Sequence, residues 1–112
     1  MSRGDVVVVV VVVVPGDYGK PRPAVVIQTD RMAGAHSVII CPITSDLEDA
    51  AAVRVTIQPT PDNNLRRLSH AMVDKITVLH TGRVGQTIGR LDARTMAEID
   101  ERLAFVLGLG GG

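Results

Sequence analysis

Gly19-Lys20-Pro21-Arg22-Pro23-Ala24-Val25-Val26-Ile27 sets two cations in a proline-stiffened turn that runs straight into a β-branched strand. Each proline fixes its own φ and pushes the residue before it out of the helical region, so Lys20 and Arg22 are both held extended on a stiff ledge. Stiffness there favours a fixed guanidinium. A solvated basic turn would carry the same letters, so the flanking sequence decides what the ledge is for.

Working outward toward the C-terminus, residues 29–36 are a polar connecting loop, and Ser37-Val38-Ile39-Ile40-Cys41-Pro42-Ile43-Thr44 is a strand apolar enough to be central. Pro42 cannot donate to a ladder, so the later half of that strand is expected at an edge or a bulge. Thr44-Ser45 puts two hydroxyls at its end. Residues 46–52 form a short acidic turn, and Val53-Arg54-Val55-Thr56-Ile57-Gln58 alternates strictly, the clearest period-two signal in the chain. Residues 59–68 are loop by composition, with two prolines and a basic exit at Arg66-Arg67. Residues 69–77 and 84–89 read as two more strands around a Thr81-Gly82 turn. From Leu91 the period changes: Asp92 is a suitable N-cap, Met96, Ile99, Leu103 and Val106 recur at helical steps, and Gly108 is placed as a stop. Glu98 and Arg102 stand four apart and are expected to pair for roughly 0.3–0.5 kcal/mol.

Toward the N-terminus, Pro15-Gly16-Asp17-Tyr18-Gly19 is a turn, preceded by nine consecutive valines, Val6–Val14. As a strand the run spans about 30 Å, whereas a membrane helix needs roughly 20 apolar residues, so it does not cross a bilayer. Asp5 and the lack of a small-residue cleavage site make a poor signal peptide. The run reads as a first strand, but it lacks the side-chain alternation by which a half-buried strand fixes its register. Five or six short strands followed by one C-terminal helix describe a mainly β fold: a small, strongly bent antiparallel sheet or barrel with the helix on one face. Neither an internal repeat nor a dividing linker appears, so residues 1–112 are read as a single domain.

A domain of this size places any active site in a surface groove or at a subunit interface. Lys+Arg and Asp+Glu balance at 12 each, but the distribution is uneven: residues 62–90 hold five cations and two carboxylates, a net +3, the local excess that phosphate binding needs. One tyrosine, one phenylalanine and no tryptophan leave out the stacking platforms of general single-strand binders. Cys41 is the only cysteine and reads as core; with no Cys/His spacing of a zinc site, neither metal nor cofactor is expected, and a reducing, cytoplasmic setting fits. His36 reads as an exposed loop residue, His70 and His80 as strand residues.

Arg3-Gly4-Asp5 before a strand, then Gly19–Val26, Cys41-Pro42-Ile43-Thr44-Ser45, Met72-Val73-Asp74-Lys75-Ile76 and Val84-Gly85-Gln86-Thr87-Ile88-Gly89-Arg90-Leu91 resemble, in order and spacing, the MazF/PemK toxin family. The likeness covers nearly the whole chain. It implies an SH3-like barrel with a C-terminal helix, a fold shared with the CcdB-type gyrase poisons. It also implies a metal-independent, sequence-specific endoribonuclease that cuts single-stranded RNA to 2′,3′-cyclic phosphate and 5′-hydroxyl ends. The same likeness implies a homodimer neutralised by a MazE-like antitoxin whose acidic tail lies in the RNA groove. Carried over by motif, Arg22 and Thr44 are the catalytic pair. Lys20, Ser45, Lys75, Asp17 and Asp74 are the expected RNA contacts, with His70 or Asp74 as an acid–base group. Asp74-Lys75 departs from the acidic residue and glutamine of several relatives, and the loop before the ledge is shorter, so base preference does not transfer. Two alternatives share the fold: a gyrase-binding poison, disfavoured by the ending Leu109-Gly110-Gly111-Gly112 without an aromatic, and a non-catalytic antitoxin-binding member.

Overall fold

The β-branched run at 37–44 forms the strand around which the rest is threaded. In the computed structural model, which describes residues 1–10, 20–47 and 53–111, seven strands precede one helix. They are β1 (Asp5–Val9), β2 (Arg22–Val26), β3 (Ser37–Thr44), β4 (Val55–Ile57), β5 (Ser69–Ala71), β6 (Thr77–His80) and β7 (Val84–Arg90), followed by α1 (Ala93–Val106). All pairings are antiparallel, in the order β4-β5-β3-β2-β1-β7 with β6 also on β3. Among the described residues β4 and β7 end the sheet without meeting, so it stays open and does not close into a barrel.

Pro42 explains the strand that sequence reads as continuous from 69 to 77. Along one side of β3, β6 pairs with residues 37–40 and β5 with 43–44, and the break falls opposite Cys41-Pro42. There the chain leaves the ladder in a 3-10 turn, Val73–Lys75, entered through a bond from the Met72 N–H to the Pro42 carbonyl at 2.8 Å. A proline without an N–H gives that stretch no reason to stay paired.

The valine run is shorter as a strand than its letters suggest. β1 ends at Val9, Val10 is exposed, and Val11–Val14 lie outside the described residues. Val6, Val7 and Val9 are all buried, because β1 lies between β2 and β7 with apolar side chains on both faces. Val6 packs with Val25, Cys41, Ile43 and Ile99, while Val7 and Val9 pack with Ala24, Val26 and Ile40. A strand covered on both sides needs no alternation. Its register comes from its partners, including irregularities against β7 between Val6 and Val9.

α1 closes the first of these clusters through Ile99, fully buried, with Met96 and Leu103 beside it. Asp92 caps it, its Oδ1 accepting the Thr95 N–H at 2.7 Å, and Gly108 at φ 71° follows its end. Arg102 lies 3.6 Å from Glu101 rather than pairing with Glu98 as its spacing suggests. Arg3-Gly4-Asp5 proves to be a clasp. Arg3 bonds the Ile27 carbonyl at 2.9 Å and Asp100 of α1, while Asp5 accepts from Arg90 of β7 at 2.8 Å. No helix among the described residues is long and apolar enough to cross a membrane.

Candidate functional site

Arg22 opens β2, immediately after the proline ledge, and pairs with Val9. The β2–β3 register runs Val26↔Ile40, Val25↔Cys41, Ala24↔Pro42. That ladder ends at Ala24↔Pro42; the same register continued for two residues would set Arg22 opposite Thr44. Thr44 then pairs with His70 of β5, and His70 with Thr56 of β4. Residues opposite one another in antiparallel strands share a face. Thr44, His70 and Thr56 therefore lie on the side away from Ile43, Ala71 and Val55, which belong to the core. The Thr44 Oγ1 accepts the Asp46 N–H at 3.0 Å, which fixes the hydroxyl and leaves its hydrogen to donate elsewhere. His70 is only 9% exposed, and its Nδ1 is buried with no hydrogen bond among the described residues.

On the Ile43 side of the sheet is a groove of about 590 Å³ whose polar wall is Arg22, Ser45, Asn64, Arg66, Arg67 and Ser69; Thr44 and His70 do not line it. Among the described residues it is lined by three guanidinium residues and no carboxylate. The 58–68 loop that brings Arg66 and Arg67 there is built on Asn63, which is buried. Its Oδ1 accepts the N–H groups of Thr60 and Leu65, both at 3.0 Å, and its Nδ2 donates to the Gln58 carbonyl at 2.9 Å. Asn64, at φ 54°, donates from its side chain to the Ile88 carbonyl, and the Arg90 N–H bonds the Asp62 carbonyl at 2.8 Å. Gly89 allows this approach, since a Cβ there would stand 2.5 Å from the Asp62 oxygen.

Other sequence-predicted positions fall elsewhere. Lys20 is exposed next to Pro21, and Asp17 lies outside the described residues. Asp74 and Lys75 sit in the 3-10 turn after β5 and do not line the groove. Asp74 is 3.5 Å from Arg54 Nε, whose side chain is 5% exposed, and 3.8 Å from Lys75 Nζ. Cys41 is core, its thiol pushed up to about 12 by burial and by the charge of Asp74. The His80 Nδ1 accepts the Gly82 N–H, and His36 is exposed. Among the described residues no three His, Cys, Asp or Glu side chains gather as a metal site. Sequence reasoning did not assign Arg66, Arg67 and Asn64 to the site; the signal available was the net +3 of residues 62–90.

A family model described as PemK-like, MazF-like toxin of type II toxin-antitoxin system matches residues 2–107. The chain belongs to that family. The toxin is 37% identical over 112 residues to a Mycolicibacterium smegmatis protein named probable endoribonuclease MazF, the match covering 99% of this chain and 100% of the relative. Its fold is that of Mycobacterium tuberculosis toxin MazF-mt6, at a TM-score of 0.77 and 19% identity over 94% of this chain and 97% of that one. A mycobacterial endoribonuclease in complex with its cognate antitoxin matches at 0.74 and 21% identity, over 97% and 94% of the two chains. MazF from Deinococcus radiodurans matches at 0.76 and 21%, over 97% of each.

Proposed function

We infer that this toxin is an endoribonuclease that cuts single-stranded RNA by attack of a ribose 2′-OH on the adjacent phosphorus, with Arg22 and Thr44 stabilising the charge that builds there. The O2′–P bond forms and the P–O5′ bond breaks, so the ends are a 2′,3′-cyclic phosphate and a 5′-hydroxyl. One proton leaves the 2′-OH and one reaches O5′. The observation that carries this reading is Arg22 at the start of β2, lining with Arg66, Arg67, Ser45 and Ser69 a groove that has no carboxylate among its described residues. An arginine does not deprotonate in proteins, so Arg22 acts as a fixed charge and donor rather than as a base. Thr44, its oxygen already engaged by Asp46, offers its hydrogen to a non-bridging oxygen.

His70 is the better proton carrier of the two considered. It shares a rung with Thr44, whereas Asp74 is engaged by Arg54 and Lys75. Lys20 and Ser45 extend the phosphate contacts on either side of Arg22. The use of the substrate's own 2′-OH accounts for a preference for RNA over DNA. We read residues 1–112 as one toxin domain, acting as a homodimer in the cytoplasm and held inactive by a cognate antitoxin whose acidic segment competes for the groove. The relative solved with its antitoxin supports such a partner. Exposed Phe105, Val106, Leu107 and Leu109 at the end of α1 supply apolar surface that a second protomer or an antitoxin would cover.

The test is cleavage of unstructured RNA in the presence of a chelator by the wild type, Arg22→Ala and Thr44→Ala, with circular dichroism confirming the fold of each. Loss of one charge-stabilising donor is expected to lower kcat by about 10²–10³, or ~3–4 kcal/mol. Full activity in either variant, or no cutting without added metal, contradicts the reading.

A further inference from the structure

We propose that Arg66 and Arg67 form a phosphate clamp on a pre-built loop, gripping RNA phosphates that flank the one held at Arg22. The clamp rests on the nuclease reading above and specifies how the strand is held. Both side chains are exposed, both line the groove shared by Arg22 and Ser45, and neither has a carboxylate within ion-pair distance among the described residues. Five other cations of the described chain already hold a carboxylate: Arg3 with Asp100, Arg54 and Lys75 with Asp74, Arg90 with Asp5, Arg102 with Glu101.

An exposed diarginine on a slack loop would lose much of its binding energy to ordering. This loop is not slack. Asn63 satisfies three backbone groups from inside it, Asn64 and the Asp62 carbonyl tie it to β7, and the missing side chain of Gly89 lets the two backbones meet. Ser69 finishes it by donating to the Arg67 carbonyl at 2.8 Å. The guanidinium groups therefore project from a base fixed before any ligand arrives. A planar fork with no acidic partner is the side chain suited to a phosphate. A carboxylate-rich protein segment meets the same charges less well, because the loop also presents Asp62 on the β7 side.

Phosphate contacts release counterions, and on a single strand each neutralised phosphate contributes about 0.7 to the slope of log affinity against log salt. The experiment measures that slope for a short, unstructured 2′-O-methyl RNA, which lacks the nucleophile and so stays intact. It compares the wild type, Arg66→Gln/Arg67→Gln, and Arg66→Lys/Arg67→Lys. The glutamine pair is expected to flatten the slope by about 1.4, and the lysine pair to restore it. With cleavable RNA, the glutamine pair should raise KM rather than lower kcat. An unchanged slope in the glutamine pair overturns the clamp while leaving cleavage by the wild type intact. Failure of the nuclease reading shows separately, as a wild type that cuts no RNA. Should the wild type bind poly-glutamate with an Arg66/Arg67-dependent slope and ignore the RNA, the clamp belongs to a protein partner and the RNA assignment falls.

Discussion

Arg22 and Thr44 differ in how far the sequence specified them. The prolines on either side of Arg22 already hold its backbone extended, so its position at the mouth of a strand was legible from the letters alone. Thr44 was legible as a strand end, but its hydrogen bond from the Asp46 N–H and its rung with His70 depend on register, which no local signal fixes. His70 looks like an ordinary strand histidine until pairing puts it beside Thr44. If it moves a proton, His70→Gln should slow cleavage by about 10²-fold or more and flatten the pH–rate profile. A profile superimposable on the wild type would assign His70 to packing. Cys41 makes a prediction of the opposite kind. With its thiol at about 12 in the fold against an ordinary 9.0, it should resist thiol reagents at pH 8 in the native protein and react once unfolded. The unfolded chain loses that proton first, so this group's contribution to stability is intact below pH 9 and is lost as pH rises toward 12. Labelling at the same rate in native and denatured protein would place Cys41 outside the core.

At the scale of elements, the helix was the most legible piece, because its cap, its stripe and its glycine stop all lie within twenty residues of one another. Asp92→Ala should cost about 1 kcal/mol, read as a lower Tm at neutral pH. The Thr95 N–H holds the Asp92 carboxyl below its usual range, so the cap's contribution is present above the ordinary carboxylate pKa and fades as pH falls through the lowered one. The 58–68 loop was the least legible. Its composition announced a loop with a basic exit, but its shape is set by Asn63 inside it and by Gly89, more than twenty residues later. Gly89→Ala pushes a methyl against the Asp62 and Asn63 backbones, neither of which is a flexible side-chain end. It should lower stability by about 1–3 kcal/mol, with weaker RNA binding although no arginine has changed. An unaltered Tm would show that the loop is not braced there. The strand expected at 69–77 was half legible: Pro42 announced an interruption, but not that the partner strand would break opposite it.

For the molecule as a whole, the order of short strands and a final helix was enough to indicate a bent antiparallel sheet, and family membership follows from the motifs along it. Nine identical valines could not say where their strand ends or which faces it buries. Both answers come from β2 and β7, which lie on either side of it. The arginine-lined groove is likewise a property of the assembled chain, since its arginines come from residues 22 and 66–67 and its hydroxyls from 45 and 69. In the reaction proposed above, the substrate's 2′-oxygen would be the nucleophile and these pieces would supply fixed charge. The most direct measurement uses an RNA that the wild type cuts at one mapped site, resynthesised with a single 2′-deoxy nucleotide on the 5′ side of that bond. Cleavage there should vanish while the oligonucleotide still binds, and the unmodified RNA should yield a 2′,3′-cyclic phosphate by phosphorus NMR. Continued cutting at the deoxy position would mean that water or a protein side chain attacks instead, and the role given to Arg22 and Thr44 would have to be abandoned.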